Sequence, residues 1–389
     1  MVRVSTMWRG SNIQGGTCLV VLGCIFAGVI ALFSFHHGGQ KDYGNNVVHI
    51  CGWYGIISRS ILREFEETTG IHVVYDVFDN NDTLEAKLLA TNSGYDIVFP
   101  SFIPYASRQC SIGVYAKLDK LKLQNFQSLQ TPVTEKFKEA GGDTDYLIPI
   151  FWGTTGIAYN HTLLSELGEE TVSYDTLLNP DKLSKLARYG VSFPEEFVDI
   201  FPQAKKFWAI PGEMNDVGTI PMYKKKFLSI RKYIKKFTSS TMISDILAGD
   251  FCAAIGSSDN AWRLKRAAEA TGMDVRYVIP HGFGVLWIDC VCIPNKALHK
   301  DNAHKFIDFL LLPRIAAQIT NESGILTNVT GACDLYASEI TVDQNICPPE
   351  KSVANLMMGR ASTSKSNLAY HKHAAKAWSQ IRMGNFQDG

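Results

Sequence analysis

The sequence predicts an α/β protein made of two α/β units behind an apolar N-terminal helix, and three features lead there. Short β-rich apolar runs alternate with amphipathic stretches, and the same alternation returns in a second half of the chain. An uncharged run stands near the start. At 389 residues the chain can bury a substantial core, and two units account for the pattern better than one sheet of unusual width. A hydrophobic fraction of 46% and a charged fraction of 20% are ordinary for a globular protein. The 38 basic residues balance the 38 acidic ones, so no basic field exists to attract nucleic acid.

The elements follow in chain order. Arg3 and Arg9 precede CLVVLGCIFAGVIALFSF, residues 18–35, which as a helix would span about 27 Å. Basic residues before the run and none directly after it place the remainder of the chain outside the cytoplasmic membrane. Residues 1–40 are therefore a signal peptide or a membrane anchor. The length of the run and its lack of a small-x-small site favour retention over cleavage. Beyond residue 40, 36 basic residues face 38 acidic ones.

VVHICGW, residues 47–53, reads as a buried strand, followed by a helix that Ser60 can cap and Gly70 ends. Residues 71–78 form a second strand, 83–90 a helix and 95–100 a third strand. Residues 151–159 are strand-like, 168–185 irregular and 230–247 largely helical. Strands return at 249–256 and 285–294; a helix over 302–312 ends at Pro313, and 365–383 form a terminal amphipathic helix. Seven cysteines lie beyond the apolar run, and an odd count leaves at least one without an internal partner. Cys333 and Cys347, closing a short polar loop, are the expected pair, whereas Cys290 and Cys292 read as buried strand residues.

No phosphate loop, HExxH, nucleophile elbow or dinucleotide fingerprint is present, and the ten histidines are scattered. Neither a cofactor nor a metal site is expected, and the chain does not read as an enzyme. Aromatic and acidic residues meet strand ends instead. Trp53 follows the first strand and Ser101 the third; Trp287 and Asp289, two apart, face one side of a late strand. Asp199 closes a short span with Glu195 and Glu196, and Asp259 directly follows a strand. Ligands of open α/β sheets bind at the carboxyl ends of strands. Carboxylates beside indole faces suit an alkyl-ammonium ligand, held by charge-assisted hydrogen bonds and ring quadrupoles.

Beyond about residue 46 the chain resembles the bacterial extracytoplasmic spermidine/putrescine-binding proteins, particularly the putrescine-binding branch. FEETTGIHVVYDVFDNNDTLEAKL, GYDIVFPS, FWGTTGIAYN, YGVSFPEE, SSTMISDILAGDFCAAIG and HKHAAKAWSQI carry the resemblance in family order. It implies a two-lobed periplasmic-binding-protein fold of type II-like form. The lobes, 46–156 with 286–330 and 157–285 with 331–389, would close by a hinge around a polyamine. It also implies a periplasmic or extracytoplasmic location, possession of an ABC permease and ATPase as partners, and a monomeric binding unit tethered if residues 18–35 persist. The family's ligand residues fall on Trp53, Ser101, Asp199, Trp287 and Asp289. Other positions depart from the family pattern. The family's WSDY-like loop is Trp53, Tyr54, Gly55 and Ile56 here, without its acid and its tyrosine; Ser257 replaces a tryptophan; Ile325 falls near a tyrosine; and a family acid falls on Asn260, with Asp259 beside it as substitute. Tyr189 replaces a family cysteine and leaves Cys252 without that partner. These changes leave room for a different small solute on the same fold, or for a membrane-tethered sensor or interaction protein.

Overall fold

A computed structural model describes residues 44–384 except 91–92, 130, 169–170 and 362. The expected apolar helix of residues 18–35 lies outside them. Among the described residues no helix is long and apolar enough to cross a membrane.

The apolar run VVHICGW becomes β1 (Val47–Trp53), buried along most of its length as its near-continuous hydrophobicity requires. Parallel neighbours β2 (His72–Phe78) and β3 (Ile97–Val98) flank it, and the sheet order is β2-β1-β3. Helix α1 (Arg59–Thr69) connects β1 to β2 and buries Ile61 and Phe65. Its cap is Ser58 rather than the expected Ser60. Ser58 is extended and accepts the Ile61 N–H at 3.5 Å, whereas Ser60 already lies in the first turn. Gly70, at φ 70°, ends the helix as expected, because a left-handed residue there costs glycine least. Helix α2 (Asn81–Leu89) is capped by Asn80, which accepts the Thr83 N–H at 2.8 Å.

β4 (Ile148–Asn160) is the long strand of the molecule, and residues on either side of Thr155 have different partners. The stretch from Ile148 to Thr155 runs antiparallel to β9 (Val285–Val291); from Thr155 onward it pairs with β7 (Ala253–Ser257) and, from Ile157, with β8 (Val275–Val278). β10 (Leu326–Thr327) joins its first half, while β5 (Val191–Phe193) and β6 (Lys236–Phe237) extend the sheet beyond β7. The first half of β4 sends Ile148 and Ile150 into a core with Ile50, Phe65 and Phe306. The second half sends Ile157 and Tyr159 into a different core with Phe193, Phe201 and Phe227. One strand thus runs through two hydrophobic centres.

Local chemistry explains the departures from expectation. The stretch 168–185, read as irregular, contains helices α3 (Tyr174–Leu178) and α4 (Pro180–Leu186). A capping box at Ser173 and Thr176 starts one, and Asn179 with Pro180 at the first turn starts the other. Helix α5 (Phe201–Phe207) follows a single turn of tight helix that contains Asp199. The helix expected over 230–247 lies earlier, as α6 (Ile220–Ile230), begun by Pro221; Lys236 and Phe237 pair with β5, and a short α7 (Met242–Leu247) follows. Helix α8 (Ser258–Glu269) springs directly from β7. Pro313 does not merely end α9 (Lys300–Leu310); it opens α10 (Pro313–Ser323), where its missing N–H costs nothing. The terminal helix α11 (Lys365–Met383) has the expected bounds, with Ala374, Trp378 and Ile381 buried. Cys333 and Cys347, expected as a pair, are separate thiols, as are the other five described cysteines. Cys290 and Cys292 are fully buried, in line with their strand reading.

Candidate functional site

The carboxyl end of β1, strand β9, the segment around Asp199 and the start of α8 surround a cavity of about 440 Å³. All six residues singled out in the sequence line it: Trp53, Ser101, Asp199, Asp259, Trp287 and Asp289. Trp53 is the last residue of β1 and packs against Phe78, ring centroids 4.3 Å apart. Trp287 and Asp289 share a face of β9 through the two-residue repeat of a strand. Gly153 makes room for the first of these. A Cβ there would fall inside the van der Waals envelope of Trp287 Cζ2 and 2.7 Å from Ser258 Oγ. The indole nitrogens of Trp53 and Trp287 are buried and have no hydrogen-bond partner within normal geometry among the described residues.

Asp289 is 6% exposed and its Oδ1 accepts the Ser101 hydroxyl at 2.7 Å. Asn81 fixes that serine, donating from Nδ2 to Ser101 Oγ at 3.0 Å and accepting the Ser101 N–H at 2.9 Å. Burial pushes the Asp289 carboxyl up to about 7; the Ser101 hydroxyl opposes the rise, and the charges of Asp259 and Asp199 add to it. Asp199 Oδ1 accepts the Thr155 hydroxyl at 3.2 Å, and burial raises its carboxyl to about 6. Glu196 also lines the cavity, pushed to about 7 by burial first and then by Asp199 and Asp82. None of these three carboxylates has a salt bridge among the described residues. Such desolvated acids lack only a positive charge.

Asp259 differs. It lies in the first turn of α8 and forms an ion pair with Arg263, one turn further along the same helix. Asn260, Ser257 and Ile325 line the cavity as well. Sequence reasoning named Glu196 only as one of three nearby acids and missed Arg263, although the four-residue spacing from Asp259 was there to be read. It also missed His371, which faces the cavity from α11 and is held neutral, near 4, chiefly by burial. Among the described lining residues six carboxylates therefore stand against a single guanidinium. No group of three or more metal-ligating side chains occurs among the described residues.

A two-lobed α/β frame with an acidic, aromatic-walled cleft at its strand ends defines a solute-binding protein. Residues 60–345 match the family described as bacterial extracellular solute-binding protein, and the chain belongs to that family. It is 34% identical over 352 residues to the putrescine-binding periplasmic protein SpuD of Pseudomonas aeruginosa, covering 89% of this chain and 95% of the relative. It is 33% identical over 399 residues to the putrescine-binding periplasmic protein PotF of Escherichia coli, covering 99% and 100%. Among solved structures, a spermidine/putrescine ABC transporter protein from Listeria monocytogenes superposes with TM-score 0.72 at 25% identity, over 87% of this chain and 99% of that one. The TpPotD lipoprotein of Treponema pallidum gives TM-score 0.72 at 21% identity, over the same shares, and shares the fold.

Proposed function

We propose that this protein captures a polyamine-class cation in the cleft, outside the cytoplasmic membrane, and presents it unaltered to an ABC permease and ATPase. The observation that carries this reading is the set of desolvated carboxylates, buried Asp289 and half-buried Asp199 and Glu196, which line one cavity with Trp53 and Trp287 and form no salt bridge among the described residues. An ammonium group supplies that charge through hydrogen bonds to the carboxylates. Trp53 and Trp287 cover the methylene chain, and their ring faces attract the charge. The names of the relatives, putrescine-binding proteins of the periplasm, support the same ligand class and location.

Capture proceeds by closure of two lobes, 46–156 with 286–330 and 157–285 with 331–389. The passage of β4 from one core to another beyond Thr155 supports that division. The binding unit acts as a monomer, and residues 1–40 direct it across the membrane or hold it there. No chemistry on the ligand is required of any residue, so the protein works as a carrier and not as an enzyme. Calorimetric titration of the full chain with putrescine and spermidine tests the reading. Saturable binding that vanishes in Asp289→Asn supports it; no saturable binding to any small organic cation sinks it.

A further inference from the structure

Among the described residues lining the acidic cleft, one guanidinium, that of Arg263, brings a fixed positive charge. Asp259 influences Asp289 electrostatically, as Asp199 does from its own position, and Glu196 couples in turn to Asp199 and Asp82. Arg263 stands beside Asp259 and takes up that acid. Its guanidinium also faces the loop after β1: Nη1 lies 3.9 Å from where a Cβ on Gly55 would sit. Arg263 Nε is buried and has no hydrogen-bond partner among the described residues. A guanidinium offers five N–H donors in a fixed plane, and one hydrogen bond, to Asp259, is formed here. A buried donor left unpaired costs free energy, and a ligand that brings an acceptor removes that cost.

The neighbours of this end agree in character. Ser257, Asn260 and Ile325 carry no charge, so a second or third ammonium arriving there meets no free carboxylate and faces a cation. Asp289 and Asp199, which form no salt bridge among the described residues, keep their need for an ammonium group.

We infer that Arg263 sets the specificity of the cleft. The preferred cargo carries an ammonium group at one end, on Asp289 and Asp199, and an oxygen acceptor at the other, on Arg263. This rests on the cation-binding reading above and narrows it. Two sources supply such chemistry: a polyamine acylated on one nitrogen, and a linear amino acid with terminal amine and carboxylate. γ-Aminobutyrate presents its oxygens beyond three methylenes and the carboxyl carbon, and N-acetylputrescine presents its oxygen beyond four methylenes, the amide nitrogen and the acyl carbon, so the pair also samples the span between the two ends.

The test compares putrescine, N-acetylputrescine and γ-aminobutyrate by calorimetry on the full chain, in wild type, Arg263→Gln and Asp259→Asn. Arg263 is partly exposed on a helix, and thermal melting verifies that each variant folds. The expected result is that wild type binds at least one acceptor-bearing ligand about tenfold or more tighter than putrescine. Arg263→Gln then erases or reverses that preference. Asp259→Asn frees the guanidinium and strengthens γ-aminobutyrate if the carboxylate is the natural acceptor; a gain confined to N-acetylputrescine identifies the acyl oxygen. Equal preference in wild type and Arg263→Gln, or putrescine as the tightest wild-type ligand, overturns the inference while the cation-binding reading stands. Failure of all three to bind wild type overturns both.

Discussion

Asp289 and Asp259 are each 6% exposed, and both line one cleft, but they keep different company. Asp289 stands on a strand and is held by neutral groups, the Ser101 hydroxyl backed by Asn81. Asp259 stands in the first turn of a helix, where the peptide dipole favours an anion, and a guanidinium one turn away completes its charge. Equal burial therefore yields two opposite groups. One is a site that needs a visitor; the other is already served. Composition cannot separate them, since both are aspartates and only their neighbours differ.

The comparison breaks most visibly at Asp289→Asn. Removing the acid that awaits a cation should weaken polyamine-type binding about 100-fold or more in calorimetry, as expected for loss of a desolvated charge pair. The same variant should melt at a higher temperature than wild type when no ligand is present, because an uncompensated buried carboxylate is gone. A lower melting temperature with affinity retained would show that Asp289 is a structural residue.

Protonation sharpens the contrast without mutation. Asp289, Asp199 and Glu196 have folded-state values of about 7, 6 and 7, above the value of about 4 expected in an unfolded chain. Raised acids bind more protons in the folded than in the unfolded state. Their contribution to stability is therefore greatest near pH 4 and is lost as pH rises through about 6 to 7. The stability advantage of Asp289→Asn over wild type should widen from pH 5 to pH 8 in ligand-free melts, and saturating cation should abolish it. Affinity for the cation should fall about tenfold per pH unit below about 6, where binding must displace a proton. A flat affinity profile from pH 5 to 8 would contradict these assignments.

Smaller effects probe the walls. Gly153→Ala should displace the Trp287 indole and lower affinity about tenfold, with a stability loss of about 1–3 kcal/mol from overpacking. Ser101→Ala removes one hydrogen bond to Asp289 and should weaken binding only several-fold, about 1 kcal/mol. Because that hydroxyl restrains the rise of the Asp289 carboxyl, the binding profile of Ser101→Ala should also move to higher pH. An unchanged profile would separate the serine from the acid.

Much of this was readable from the chain. β1 and the terminal helix stood out because long apolar or amphipathic periodicity outweighs local detail, and the cleft residues stood out as acids and indoles at strand ends or on an otherwise apolar strand. The short helices α3 and α4 did not, since caps rather than an apolar stripe announce them. Helix α6 was displaced in the reading because Lys224, Lys225 and Lys226 break the apolar run along the sequence and hide the face that Tyr223, Phe227 and Ile230 form at helical spacing. Arg263 escaped for a different reason. Sequence places it beside Asp259, but only tertiary packing turns that helix edge toward the loop after β1.

The thirteen residues of β4 leave no room for a change of length. Side chains alternate along a strand, so inserting or deleting one residue before Ile157 would turn Ile157 and Tyr159 away from their core while Ile148 and Ile150 kept theirs. The Thr155 hydroxyl that anchors Asp199 lies in the same alternation and would swing to the opposite face. Diversification of this spine is confined to substitutions, and new ligand preferences must arise in the loops and helices around it.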